Sequence, residues 1–221
     1  MRFKAACSSS LAVALFAVAS PAEELRDPAA FGLEELMESM AATSGVIAKF
    51  REQKQLALLA RPLESSGMLY FIPPNRLVRL TLEPEPSALI IDGEKLRFQQ
   101  GDREKFDLSG NPMARIFIDN FIVLFNGDLQ SLQDLYHTRF SAEGEDWRLI
   151  LEPRKSPIRE IVREISMRGD RTGIREMVMQ NRDGDRTTTV LDVIEGDYHF
   201  TDDQLESLFV EGTAPVTASD R

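Results

Sequence analysis

The chain has 221 residues, one cysteine and a formal net charge of −10. A balance that acidic argues against nucleic acid, or anionic lipid head groups, held by bulk electrostatics. With Cys7 unpaired in sequence there is no disulfide to lean on, so stability must come from burial.

The amino end predicts export. Arg2 and Lys4 precede an uncharged, mostly apolar run from Ala5 to Val18, and small residues follow at Ala17 and Ala19, with Ser20 and Ala22 as a second option. This three-part pattern reads as a signal peptide over 1–22, cleaved after Ala19 or Ala22, and fourteen residues are too few to span a bilayer. Pro21 and Glu23–Glu24 break any continuing helix. Cys7 stands before the apolar run rather than after it, which argues against a lipidated amino terminus. Cleavage removes Arg2 and Lys4, taking the formal charge from −10 to −12. Residues 23–211 then form one domain of roughly 200 residues with a single core, and 212–221 reads as a disordered tail. No other stretch is long enough to cross a membrane, so the exported chain is expected to be soluble.

Asp27-Pro28 opens an amphipathic helix through capping and a first-turn proline; Leu33, Leu36, Met37 and Met40 recur at helical spacing and Gly45 ends it. From Val46 the period becomes two. Val46, Ala48, Phe50, Leu56 and Leu58 share one face, and Glu52 and Lys54 interrupt it, which predicts a bulge or a wet patch there. Short strands follow at Met68–Ile72, Leu77–Leu82, Ala88–Ile91 and Lys95–Gln99, with a turn at Pro73-Pro74-Asn75 and a tight hairpin at Asp92-Gly93. Asn111-Pro112 starts a mid-chain helix to about Asn126-Gly127, in which Asp119 and Asn120 are the only polar residues between Ile116 and Phe125. A helix apolar nearly all round must be covered on most sides. A second short helix, capped by Asp128, carries Leu129, Leu132, Leu135 and Tyr136.

Strand signals return at Thr138–Ala142, Trp147–Leu151, Ile174–Gln180 and Thr187–Ile194, while Pro157–Met167 fits helix or strand. A short acidic turn follows Thr201, and a last strand is expected near Phe209. The sum is mainly β: about ten or eleven antiparallel strands that must curl or split into layers, with helices placed to cover the concave side.

Catalytic constellations are sparse. His137 and His199 lie in separate segments without metal-ligand spacing, and no Gly-x-Ser-x-Gly elbow or glycine-rich phosphate loop occurs. Asn181–Asp185 lacks the spacing of a calcium loop and reads as a hairpin turn, and Asp202-Asp203 as a solvated acidic pair. No enzyme activity, cofactor or metal is expected. What stands out is apolar surplus: Phe117, Phe121 and Phe125 fall at successive i, i+4 positions with Met113 one turn before. They suit a core helix or a lid over an acyl-binding groove, where each methylene removed from water contributes about 0.8 kcal/mol.

Phe50 with Gln53, Gly67 opening a strand, Pro74-Asn75 at a turn, the spacing of Pro84, and Asp92-Gly93 followed by Leu96 and Phe98 together resemble the LolA family of periplasmic carriers of outer-membrane lipoproteins. The resemblance implies an unclosed antiparallel β-barrel of about eleven strands, with lid helices over an apolar cavity. It also implies cargo of acylated lipoprotein or lipid, received from an inner-membrane ABC transporter or other lipid exporter and passed to an outer-membrane acceptor. Carriers of this family often have a basic residue just before the turn proline, which holds the lid closed; here that place is Pro73. The latch would then fall to Arg76 or Arg79, or the cargo would differ, as a glycolipid or pigment ester would.

On this reading the protein is a monomeric periplasmic carrier. Its inward-facing residues would be Phe50, Leu69, Phe71, Leu80, Ile90, Leu96, Phe98, Ile116, Phe117, Phe121, Phe125, Trp147 and Leu149, subject to a strand phase that a one-residue slip would flip. A lipid-sensing regulatory module of the same fold is the alternative, distinguished by a persistent protein partner; a hydrolase of envelope lipids would need a catalytic set that these residues do not supply.

Overall fold

The structure, a computed structural model, describes residues 31–100, 105–112, 116, 118, 119 and 122–213. The signal-peptide reading, the Asp27-Pro28 cap, and Met113, Phe117 and Phe121 lie outside these residues.

Eleven antiparallel strands form one sheet: β1 (Val46–Gln55), β2 (Leu63–Ile72), β3 (Arg76–Glu83), β4 (Ser87–Asp92), β5 (Lys95–Gln100), β6 (Lys105–Asp107), β7 (Tyr136–Glu143), β8 (Asp146–Pro153), β9 (Val162–Asp170), β10 (Gly173–Asn181) and β11 (Arg186–Gly196). Their order is β6-β5-β4-β3-β2-β1-β11-β10-β9-β8-β7. Each strand pairs with its chain neighbour, except that β1 joins β11, and β6 and β7 are left as edges. The barrel is therefore unclosed. Gly93, at φ 61, makes the tight turn between Asp92 and Lys95.

Register shifts at Ile47/Ala48, Ser66/Gly67, Ile174/Glu176 and Gln180/Asn181 put extra residues into single strands, which bends them and raises the local twist. The β1 bulge thus falls at Ile47/Ala48, and the ladder runs unbroken through Glu52 and Lys54. Leu56 and Leu58 do not continue the β1 face: the strand ends at Gln55, and Leu58 is 98% exposed. Gly67 sits within β2 rather than opening it. A Cβ there would lie 1.9 Å from the Leu80 carbonyl oxygen, so only glycine lets β2 and β3 pair at that bulge.

One apolar cluster fills the concave face. Its cover begins with α1 (Leu33–Ala42), whose Leu36 and Met37 turn inward, and whose start is held by the Glu35 carboxylate accepting from Gly32 N–H at 3.2 Å. The mid-chain segment is helical at its described residues from Pro112 to Ile122, then turns through 123–125 and brings Ile122, Val123, Leu124 and Phe125 into the same cluster. Gly127 (φ 68) closes this segment against α1, its missing Cβ leaving room for the Met37 carbonyl, which would otherwise stand 2.2 Å away. Next comes α2 (Leu129–Leu135), capped as expected by Asp128, which accepts from Ser131 N–H at 3.0 Å and Ser131 Oγ–H at 2.6 Å. The Ser131 hydroxyl, then its N–H, hold the Asp128 carboxyl below the ordinary range. The ambiguous stretch resolves into both alternatives, a short α3 (Ile158–Ile161) running into β9.

The convex face carries a second, smaller cluster. The strand expected near Phe209 is instead helical: α4 (Asp202–Glu206) continues as a π-helical turn over Ser207–Glu211. Thr201 and Gln204 form a reciprocal capping box, and Asp202 and Asp203 occupy the first turn, where the helix dipole favours carboxylates. The spacing of Leu205, Leu208 and Phe209 is helical, and the turn packs on Val78, Leu80, Ala88 and Ile90. Gly212 (φ 71) ends the helix, with Thr213 N–H donating to the Ser207 carbonyl at 3.1 Å. Residues 212 and 213 thus belong to the fold rather than to a tail.

Leu208 is fully buried and Val210, two residues on, is 58% exposed. Leu208→Ala should destabilise the protein by about 2–5 kcal/mol and Val210→Ala by no more than about 0.5, read from urea unfolding midpoints. Asp128→Ala should cost about 1 kcal/mol through loss of the α2 cap.

Candidate functional site

Strand parity decides which side chains meet. Directly paired residues share a face, so the pairs Phe50–Leu191, Ala48–Leu69, Phe71–Leu77, Leu77–Ile91 and Ile91–Leu96 extend one concave surface across six strands. On the far side, Met177 pairs with Thr189 and Met167, and Leu149 with Met167.

This surface is not solidly packed. A hollow of about 360 Å³ lies under α1, walled by Leu36, Met40, Val46, Ala48, Phe71 and Val193 among others. A second, of about 340 Å³, follows along β1 and β11, walled by Phe50, Leu77, Leu89, Ile91, Ile118, Met177 and Met179 with a few polar groups. Leu69, Leu191 and Phe125 line both. Phe125 drops from the covering segment between them, 8% exposed, its ring 5.6 Å from that of Phe71. The concave side thus holds two apolar chambers with Phe125, Leu69 and Leu191 as their common wall. Each falls within the size range of pockets for small organic ligands.

Of the predicted inward residues, Phe50, Leu69, Phe71 and Phe125 line the chambers. Leu96, Trp147 and Leu149 belong to the same buried cluster, with Ile116 partly buried against it, but all four stand beyond the chamber walls; Trp147 Nε1–H donates to the Asp170 carbonyl at 2.8 Å. Phe98 is half-buried on the concave parity, opposite Leu89 and Phe106. Leu80 and Ile90 are corrections. They pair with Met68 and Val78, on the convex parity, and pack under the carboxy-terminal helix. The physical reason is phase: β3 and β4 are apolar on both faces, because both faces are covered, so alternation could not tell inside from outside.

The wet patch expected at Glu52 and Lys54 is present, without a bulge. Glu52 Oε1 pairs with Arg79 Nη2 at 3.0 Å, Thr189 Oγ1–H donates to Glu52 Oε2 at 3.1 Å, and the Arg79 guanidinium lies 4.2 Å from the centre of the Phe50 ring. Thr189 is the one buried polar residue among those described. These groups and Lys54 all line the second chamber. Of the two arginines considered for a latch, Arg76 faces away: it binds Asp92 at 2.8 Å and stacks 3.9 Å over Phe209 on the convex side.

The first chamber ends on a different polar rim, the β9–β10 turn and the end of β11. Asp170 there accepts from Thr172 Oγ1–H at 2.5 Å, from Thr172 N–H at 2.8 Å and from Arg175, bonds that hold its carboxyl below the ordinary range. Asp197 is lowered likewise, chiefly by the Ser44 N–H. Both carboxylates are therefore tied into turns.

The lining residues outside the predicted set include Leu77, Leu89 and Ile91, displaced by phase on β3 and β4, and Ile174, Met177, Met179, Leu191 and Val193 on β10 and β11. The apolar alternation of β10 and β11 was visible, but β11 reaches β1, and brings β10 beside it, only through the longest-range pairing in the sheet. Among the described residues, no group of three or more His, Cys, Asp or Glu side chains could hold a metal, and no helix is long and apolar enough to cross a membrane. Asn181–Asp185 is a turn closed by Asn181 N–H to the Asp185 carbonyl at 2.8 Å.

Comparison with solved structures finds a LolA superfamily protein from Nitrosomonas europaea at 9% identity, covering 80% of this chain and 97% of that one, with a TM-score of 0.42. A DUF1329 family protein from Desulfovibrio piger aligns at 11% identity over 80% of this chain and 94% of its own, TM-score 0.43. The MucA/MucB complex of Pseudomonas aeruginosa aligns at 16% identity over 77% of this chain and 57% of the other, TM-score 0.41. No curated protein matches the sequence. The family described as outer membrane lipoprotein carrier protein LolA-like matches residues 26–203, most of the chain, and this protein belongs to that family.

Proposed function

We propose that this protein is a periplasmic carrier that shields the acyl chains of lipoproteins, or of a related lipid, on their way from the inner to the outer membrane. The observation that carries this reading is the pair of apolar chambers on the concave face, which share Phe125, Leu69 and Leu191 and are walled mainly by aliphatic, aromatic and sulfur-containing side chains. Protein interiors are ordinarily filled to the density of organic crystals, and an apolar void forfeits contact energy along its whole lining. Acyl chains restore those contacts, each buried methylene contributing about 0.8 kcal/mol.

Tight shielding and spontaneous release conflict. Loading by an inner-membrane exporter and unloading to a stronger outer-membrane acceptor resolve the conflict. Of the three residues that line both chambers, Leu69 and Leu191 are fixed in strands and Phe125 comes from the covering segment, so displacement of Phe125 would open one chamber toward the other.

Native mass spectrometry of the protein taken gently from its own periplasm should show added lipid mass. A ligand-free species under the same conditions would overturn carriage. Leu191→Trp, placed in the wall common to both chambers, should cut the lipid-bound fraction at least tenfold with the far-ultraviolet circular dichroism unchanged. Phe125→Ala should lower the stability of the lipid-free protein by about 3–5 kcal/mol, and added lipid should recover part of that loss.

A further inference from the structure

The second chamber is chemically divided along its length. At its inner end stand Phe50, Leu69, Leu77, Ile91, Leu191 and Phe125. Two residues beyond Phe50 along β1, roughly 7 Å at the rise of a strand, the wall turns polar. Glu52 and Lys54 project into it from β1, Thr189 and Thr187 from their paired positions on β11, and Arg79 from β3. Polarity changes in the same direction on both adjoining strands.

The charges at this rim do not cancel. Arg79 is held by Glu52 at 3.0 Å and stacked on Phe50, and Glu52 takes a further bond from Thr189. That leaves Lys54, which has no ion-pair partner among the described residues. Two cations against one carboxylate give the rim a net charge of +1, on a chain whose overall charge is −10. A purely solvated lysine would explain Lys54 alone. It does not explain why an arginine and a buried threonine are drawn to the same end of an otherwise apolar hollow.

We propose that this chamber selects acyl amphiphiles whose head carries one negative charge. The chain lies toward Phe125, and the anionic oxygens lie at the rim against the Lys54 ammonium and the outer edge of the Arg79 guanidinium. Charge-assisted hydrogen bonds are the stronger class; Arg79 and Glu52 are half-buried at this rim while Lys54 is exposed, so a contact to Arg79 is the less screened of the two. The head groups of this class are carboxylate and phosphate. The inference rests on the carrier reading above and narrows it to a cargo class.

The test is displacement of the neutral fluorophore N-phenyl-1-naphthylamine from the full exported chain by oleate, methyl oleate and monooleoyl phosphatidylglycerol, a phosphodiester that carries one negative charge. Oleate should displace it at about a tenth of the methyl oleate concentration, a preference equivalent to about 1.4 kcal/mol. Lys54→Gln should remove most of that preference and Lys54→Glu should reverse it, with methyl oleate unaffected by either. The phosphate separates the two head groups: displacement like that of oleate, with the same dependence on Lys54, means any single-charged oxygen head is read, and weaker displacement narrows the site to carboxylates. Equal displacement by oleate and methyl oleate in the unsubstituted protein overturns the head-group inference and leaves acyl carriage standing. Failure of all three lipids to displace the fluorophore overturns both.

Discussion

The structure depends on one steric constraint: an eleven-stranded sheet that curls without closing has a concave apolar face that no strand can cover. The pairing of β1 with β11 joins the two meanders, and the four register shifts bend the strands, yet β6 and β7 never meet. Helical segments must supply the missing wall. Two of them, α1 and the 112–127 segment, touch through Gly127, where a side chain would collide with the α1 backbone. A cover made of short, independently capped pieces cannot interdigitate with a curved sheet as two sheets or two helices do. It leaves the hollows on either side of Phe125.

Local chemistry made much of this legible. The Asp92-Gly93 hairpin, the Asp128 cap and the alternation of β1 each rest on interactions within a few residues, and each is where the sequence places it. The polar interruption at Glu52 and Lys54 was also readable, because two charged residues on an otherwise apolar parity need a reason. What alternation could not resolve was orientation where both faces are buried. In β3 and β4, Leu77, Leu89 and Ile91 face the chambers while Val78, Leu80 and Ile90 face the carboxy-terminal helix, and both sets are equally apolar. Reading Phe209 as a strand residue failed for a related reason: a short segment with Leu208 and Phe209 adjacent carries no clean period, and its helical state is set by the Thr201–Gln204 box upstream. The partners of Arg79 were out of reach, since Glu52 and Thr189 come from strands far apart in the chain.

The two faces of the sheet provide their own comparison. On the convex side Ile47, Tyr70, Val78, Leu80, Ala88, Ile90, Leu208 and Phe209 are all at most 5% exposed, and none of them lines either chamber. The Arg97 guanidinium donates to the Phe209 carbonyl, and Arg76 stacks over the Phe209 ring, so even the rim of that contact is tied down. The same strands, with the same apolar residue types, therefore bury side chains on both faces, and the two apolar chambers lie on the concave one. A small carboxy-terminal helix covers part of the convex side, with Leu208 and Phe209 buried against β2, β3 and β4. The concave side has more large side chains available, among them Met37, Phe71 and Phe125, and still encloses space. Hollowness on that face is thus a property of how its side chains are arranged rather than a shortage of material. An arrangement that gives up contact energy beneath its helical cover, with large apolar side chains at hand, fits a surface shaped for something that arrives from outside the chain.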